Sequence, residues 1–330
     1  MRALIVGLGS IARRHIQNLK AIAPDTEIAV WRQHSKTKDL GELGRVVEHI
    51  FFDLAEVLVW HPEVALITNP ASMHIETGTD LAQEGCHLFV EKPLSDTLLG
   101  VDEFLNLCRE QSVVLMVGYN FRFCRSLQVL RQAMVEGQIG RAIAVRAEVG
   151  QFLPSWRPAK DYRQTVSANR DLGGGALLEL SHELDYMRWL SGEVKTIGAH
   201  IGHLSDLEID VEDTAELIMQ FDSGAMGSIH LNMVQSPATR TCRVIGTEGT
   251  LEWNGLDDHV RIFTRKVDAW SDLLSARRVD HNEMYLDELR HFLSCVRDNT
   301  TPIVSGEDGR RILEIITSAK EASSNLRVVG

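Results

Sequence analysis

The chain of 330 residues is poor in several things at once. It holds five cysteines, Cys86, Cys108, Cys124, Cys242 and Cys295, and no two of them form a CxxC pair. That scatter suggests neither a disulfide framework nor a cysteine zinc site, and each is read as a small buried residue. No apolar run approaches the roughly 18 residues of a membrane helix. The first ten residues, MRALIVGLGS, are too short and glycine-rich for a signal peptide and read better as a strand entering a turn. A cytoplasmic protein is expected. Positive charge is scarce, with 34 Lys and Arg against 46 Asp and Glu and a formal net charge of -12. This argues against general affinity for nucleic acid or an anionic membrane, both of which need a basic face. There is no low-complexity tract and no repeat of fixed period. The histidines fall in no metal-ligand spacing, so no metal is expected.

What is present is a globular composition, 44% hydrophobic and 24% charged, on a chain longer than one core usually holds. Residues 1–120 alternate short apolar runs with amphipathic stretches. Ala3 to Val6, Ile28 to Trp31, Val64 to Thr68, Cys86 to Val90 and Val113 to Val117 read as strands, with helices between them. Alternation of this kind predicts an α/β fold, a Rossmann-type doubly wound parallel sheet with right-handed crossovers. Residues 121–330 change style. Strand candidates from Val194 to Arg265 follow one another with few helices, and two helices close the chain. A C-terminal α+β domain with a large, mostly antiparallel open sheet is expected there.

The stretch VGLGSIARRH sets Gly7, Gly9 and Ala12 in GxGxxA spacing between the first strand and a helix. The first glycine allows a tight turn, the second lets a pyrophosphate approach, and the helix start at Ser10 and Ile11 offers free N–H groups. A dinucleotide is the expected cofactor. After the second strand no acidic residue stands near Arg32 to grip ribose hydroxyls. Arg32, Ser35 and Lys36 instead favour NADP over NAD, the alternatives being Arg32 stacked on adenine or simply solvated. TNPASMH after the fourth strand and EKP after the fifth lie where ligands bind such sheets. Thr68, Asn69, Pro70, His74, Glu91 and Lys92 are therefore cofactor-side candidates.

These pieces, with GYNFRF, GGGALLELSHELDYMRWL and GTEGTLEW in order along essentially the whole chain, resemble the glucose-fructose oxidoreductase and inositol dehydrogenase family, Gfo/Idh/MocA. The resemblance implies an NAD(P)-dependent oxidoreductase acting on a secondary alcohol or ketone of a sugar-like substrate. It implies that Lys92 of EKP orients the reacting hydroxyl, with Glu91 positioning the lysine or the cofactor, and that Asn120, Tyr119 and Arg122 contact nicotinamide or substrate. A histidine near neutrality can take the hydroxyl proton, and His182 is the candidate. Many members carry an aspartate four residues before that histidine, where this chain has Leu178. Glu179, three before, lies on the same face if one helix spans both, and is the third catalytic candidate.

Between 155 and 170, Arg157, Lys160, Arg163 and Arg170 face one acid, Asp161. That balance suits an anionic substrate such as a nucleotide sugar, sugar acid or sugar phosphate, with Trp156 and Tyr162 stacking on a ring. A solvated loop is the equal alternative, and a neutral polyol, inositol or aldose the alternative substrate. The other class of function is a non-catalytic dinucleotide-binding regulator, which would not need both Lys92 and His182. A homodimer or homotetramer through the C-terminal sheet is implied by the resemblance. Whether the Lys92–Pro93 bond is cis stays open.

Overall fold

The computed structural model describes residues 1–33, 39–275 and 280–325. Its first sheet is built from β1 (Arg2–Val6), β2 (Glu27–Trp31), β3 (His49–Phe51), β4 (Val64–Ile67), β5 (His87–Glu91) and β6 (Leu115–Gly118). Between them run α1 (Ser10–Ile22), α2 (Leu54–Trp60), α3 (His74–Gln83) and α4 (Val101–Glu110). The strands lie in the order β3-β2-β1-β4-β5-β6 and every pairing is parallel. Helical crossovers cover both faces of such a sheet, so its strands are apolar throughout rather than alternating. Ala3, Leu4, Ile5 and Val6, and Val64 through Ile67, have no exposed surface at all. The strand order reverses between β1 and β4, which puts the loops after these strands at the sheet's switch point.

Two elements here are not foreseen from sequence, β3 and α2. β3 has three residues, and α2 reads LAEVLVW, apolar almost all round, so neither shows a clean period.

The second sheet has eight strands: β7 (Ala142–Gly150), β8 (Val194–Gly202), β9 (Thr214–Phe221), β10 (Met226–Asn232), β11 (Thr239–Gly246), β12 (Gly249–Asn254), β13 (His259–Thr264) and β14 (Ala269–Ser275). Their order is β14-β13-β12-β11-β7-β10-β9-β8, with β7 and β10 parallel and the remaining pairs antiparallel. Here alternation is clear. In β9, Ala215, Leu217, Met219 and Phe221 are buried while Glu216, Ile218 and Gln220 are exposed. The buried face packs under α5 (Arg125–Val135), α6 (Ala176–Glu179) and α7 (His182–Ser191). The other face carries polar pairs, the ion pair of Arg243 with Glu252 at 2.5 Å and the hydrogen bond between His230 and Glu216 at 2.6 Å.

Two helices end the chain, α8 (Glu283–Asp298) and α9 (Gly306–Ser324). Contacts group Met1–Asn120 with His281–Leu313 in one unit, and Phe121–Asp280 with Glu314 onward in the other. The sequence reading assigns 281–313 to the second domain, whereas its packing belongs to the first. Phe292 of α8 meets Phe89 edge-on at 5.8 Å, and Asn282 exchanges amide hydrogen bonds with Asn18 at 3.2 and 2.8 Å.

Candidate functional site

In the first unit, β1 runs into a turn that only glycine suits. Gly7 sits at φ +87°, a region costly to any residue with a Cβ. Its N–H donates to Trp31 O at 2.9 Å, and a Cβ there would lie 3.4 Å from Asn69 N and Thr68 O. Gly9 precedes α1 in extended conformation, and nothing lies within 4 Å of where its Cβ would be. Ser10 is exposed, Ile11 half-buried, and the first turn has no acidic residue. Unpaired N–H groups, the positive end of the helix dipole and an open approach together fit a dinucleotide pyrophosphate.

The loops beside the turn are tied to it. Thr68 Oγ1 donates to Val6 O at 2.6 Å. The Asn69 amide N–H donates to Gln33 at 2.8 Å and to Thr77 at 3.0 Å, while its Oδ1 is buried without a hydrogen-bond partner among the described residues. Asn120 also has a buried Oδ1 with no such partner. Two orphaned amide oxygens are what a missing donor group leaves behind. Pro70 opens the single helical turn 71–73. Arg32 is half-buried, with its backbone N–H on Phe51 O at 2.9 Å. Ser35 and Lys36 lie outside the described residues.

β5 delivers the charged segment. Lys92 is half-buried and the Lys92–Pro93 bond is cis. Glu91 Oε1 lies 2.6 Å from Nε2 of His15, which is fully buried in α1, and Glu91 Oε2 accepts from the Lys92 backbone N–H at 3.3 Å. Against the expectation of a cofactor contact, His74 is only 2% exposed and turns inward. Its two ring nitrogens lie 2.9 Å from Pro93 O and from Asn69 O, so it ties the loop after β4 to the loop after β5. Burial pushes its pKa down, and the two carbonyls and Glu91 offset this only in part. Tyr119 likewise has no exposed surface and sits in the core rather than on a surface that a substrate can reach.

The second unit holds the other candidates. The helix expected across LLELSHELDYMRWL is interrupted at Leu180 and Ser181, and Ser181 Oγ donates back to Leu178 O at 2.9 Å. His182 is the first residue of α7, half-buried, its ring edge-on to Phe121 at 4.8 Å. On Phe121 also rests the Arg240 guanidinium, 4.6 Å from the ring centre, and Arg240 pairs with the buried Glu183 at 2.9 Å. With the helix broken, the shared-face argument for Glu179 and His182 no longer applies. Ser167 Oγ donates to Glu179 Oε2 at 3.1 Å.

Arg122 differs most from the substrate role expected of it. It is 5% exposed and donates through Nε and a terminal nitrogen to Asp185 at 2.7 to 3.2 Å, a buried two-pronged pair. In the basic loop one arginine is met by acids and another by a backbone carbonyl. Arg163 binds both Asp161 at 2.9 Å and Glu208 at 2.6 Å, and Arg170 donates to the Asp210 carbonyl at 2.7 Å. Trp156 Nε1 donates to Gln151 O at 3.0 Å, and Tyr162 OH accepts from Glu208 N at 3.2 Å. Arg157 and Lys160 are exposed.

His15, Gln33, Thr77, Gly118 and Tyr285 surround the first-unit residues, and Phe121 and Arg240 back His182, yet none was a site candidate from sequence. His15 lies three residues past the glycine motif, in the helix that the motif opens, the one signal that could have pointed to it.

The family model described as an oxidoreductase family with an NAD-binding Rossmann fold matches residues 1–119. The one described as the GFO/IDH/MocA C-terminal domain matches residues 127–252. The myo-inositol 2-dehydrogenase of Thermotoga maritima is 30% identical over 100% of this chain and 98% of its own length. The NAD(+)-dependent scyllo-inositol 2-dehydrogenase of Bacillus subtilis is 28% identical over 98% and 94%. Among solved structures, a levoglucosan dehydrogenase in complex with NADH superposes with a TM-score of 0.88 at 18% identity, covering 98% of this chain and 97% of that one.

Proposed function

We propose that this chain, which belongs to the GFO/IDH/MocA family of NAD-binding oxidoreductases, interconverts a secondary alcohol and a ketone on a neutral polyol or sugar, with Lys92 and His182 as its acid–base pair. One observation carries the reading. In a sheet of parallel strands, the Gly7–Gly9 turn after β1 and Lys92 after β5 leave from the same edge, where such sheets bind ligands. Gly7, Gly9, Ser10 and Ile11 hold the pyrophosphate, and Asn69 and Asn120 turn amide oxygens towards donor groups. The dinucleotide, when bound, supplies a hydride acceptor. The Lys92 ammonium donates to the substrate oxygen, and the His182 imidazole takes the hydroxyl proton. Glu91 holds the Lys92 backbone rather than the substrate.

The charge of Arg163, met by Asp161 and Glu208, shifts weight from an anionic substrate to a neutral one, in line with the inositol dehydrogenases among the relatives. An anionic sugar is the second reading, favoured by the exposed Arg157 and Lys160. The five free, buried cysteines support a reducing compartment, the cytoplasm. The uncovered face of the eight-stranded sheet supports assembly through it. The test is absorbance at 340 nm over inositols, aldoses, sugar acids and nucleotide sugars, with NAD+ and NADP+. Turnover of an inositol is expected, lost by about a hundredfold or more in Lys92→Ala and His182→Ala. Turnover of anionic sugars alone removes the neutral reading, and undiminished turnover in Lys92→Ala removes the catalytic one.

A further inference from the structure

The catalytic lysine leaves β5 beside a carboxylate that is gripped from α1. His15 is fully buried, and its Nε2 stands 2.6 Å from Glu91 Oε1. Its other ring nitrogen, Nδ1, is buried without a hydrogen-bond partner among the described residues. A proton there would be a stranded donor, so the tautomer that fits carries its hydrogen on Nε2 and donates to the carboxylate. The ring cannot swing away. Phe89 meets it edge-on at 5.2 Å and Tyr285 of α8 at 6.3 Å, with the Arg14 guanidinium 4.4 Å from the Tyr285 ring centre.

On its far side the Glu91 carboxylate lies against bare backbone. A Cβ at Gly118 would come within 3.3 Å of Glu91 Cδ and Oε2. The same Oε2 accepts the Lys92 backbone N–H at 3.3 Å. Glu91 thus has its orientation set by His15 on one oxygen, and it bears on the Lys92 backbone with the other.

We infer that His15 is a positioning residue for Lys92: through Glu91 it fixes the direction in which the lysine leaves β5 and couples that direction to the helix that receives the dinucleotide. Its hydrogen bond joins α1, whose first turn faces the pyrophosphate, to the segment that bears the ammonium. The inference rests on the catalytic reading of Lys92. Small displacements of a reacting group cost rate far more than they cost binding, so the effect belongs in kcat.

The test uses the full chain with NAD+ and myo-inositol as probes, comparing the parent with His15→Leu, His15→Gln and Lys92→Ala, and measuring NADH affinity by fluorescence titration. His15→Leu is expected to lower kcat by about tenfold or more while KM for myo-inositol and NADH affinity stay within about twofold. His15→Gln, which keeps an N–H donor, is expected to recover a large part of the loss. If His15→Leu does not fold, Gly118→Ala crowds the carboxylate from the other side without touching His15, and the same split is expected. Parent-like kcat in His15→Leu, or in Gly118→Ala when it stands in, beside a collapse in Lys92→Ala overturns the positioning role and leaves the catalytic reading intact. Parent-like kcat in Lys92→Ala overturns both.

Discussion

At the scale of one side chain, the proposed choice between NADP and NAD turns on Arg32. It follows the second strand, where an acidic residue would grip ribose hydroxyls, and a guanidinium there favours a 2'-phosphate, whereas one relative is named for NAD. Arg32→Asp is expected to shift the ratio of NADPH to NADH affinity towards NADH by about tenfold or more, read by fluorescence titration. An unchanged ratio removes Arg32 from cofactor choice. Arg122 and Asp185 are a different kind of residue pair, buried and mutually committed. Removing one charge leaves the other stranded, so Arg122→Ala is expected to cost about 3–5 kcal/mol in urea unfolding. Replacing both, as in Arg122→Met with Asp185→Leu, is expected to recover much of that loss. The sequence marks Arg122 as polar and near the motifs. Only its burial shows that its charge is spent on Asp185.

At the scale of elements, β1, β2, β4, β5 and β6 are readable as short continuous apolar runs, and α1, α3 and α4 as amphipathic stretches between them. The failures have local causes. The stretch around His182 is read as one helix, but it breaks at Leu180 and Ser181, and with it goes the spacing argument for Glu179. α8 is read correctly as a helix and assigned to the wrong partner, because amphipathicity shows that a face is buried and not against what. Phe292 has no exposed surface and meets Phe89. Phe292→Ala is expected to destabilise the first unit by about 3–5 kcal/mol, measured by chemical denaturation, with little loss of structure in the eight-stranded sheet. Equal loss in both units would show that α8 does not belong to the first.

For the molecule as a whole, three histidines of the first unit, His74, His87 and His291, have pKa values held below 6.5 chiefly by burial. The folded state keeps them neutral while unfolded chains bind the protons, so stability falls as pH drops through about 6.5. Unfolding midpoints are expected to decline between pH 7 and 5, with His74→Gln flattening the slope, and a flat profile would contradict their burial. The family and both sheets follow from sequence alone, as does the proposal of Lys92 as a site residue, since glycine spacing, apolar runs and alternation depend on local conformation and the ordered motifs run along the whole chain. What the tertiary structure alone decides is which polar groups pair with one another. His15 on Glu91, His74 on two carbonyls, Arg122 on Asp185 and Arg163 on two acids are pairings between residues distant in sequence or free to turn either way. A hydrogen bond requires about 3 Å between atoms, and no spacing along the chain can state that distance.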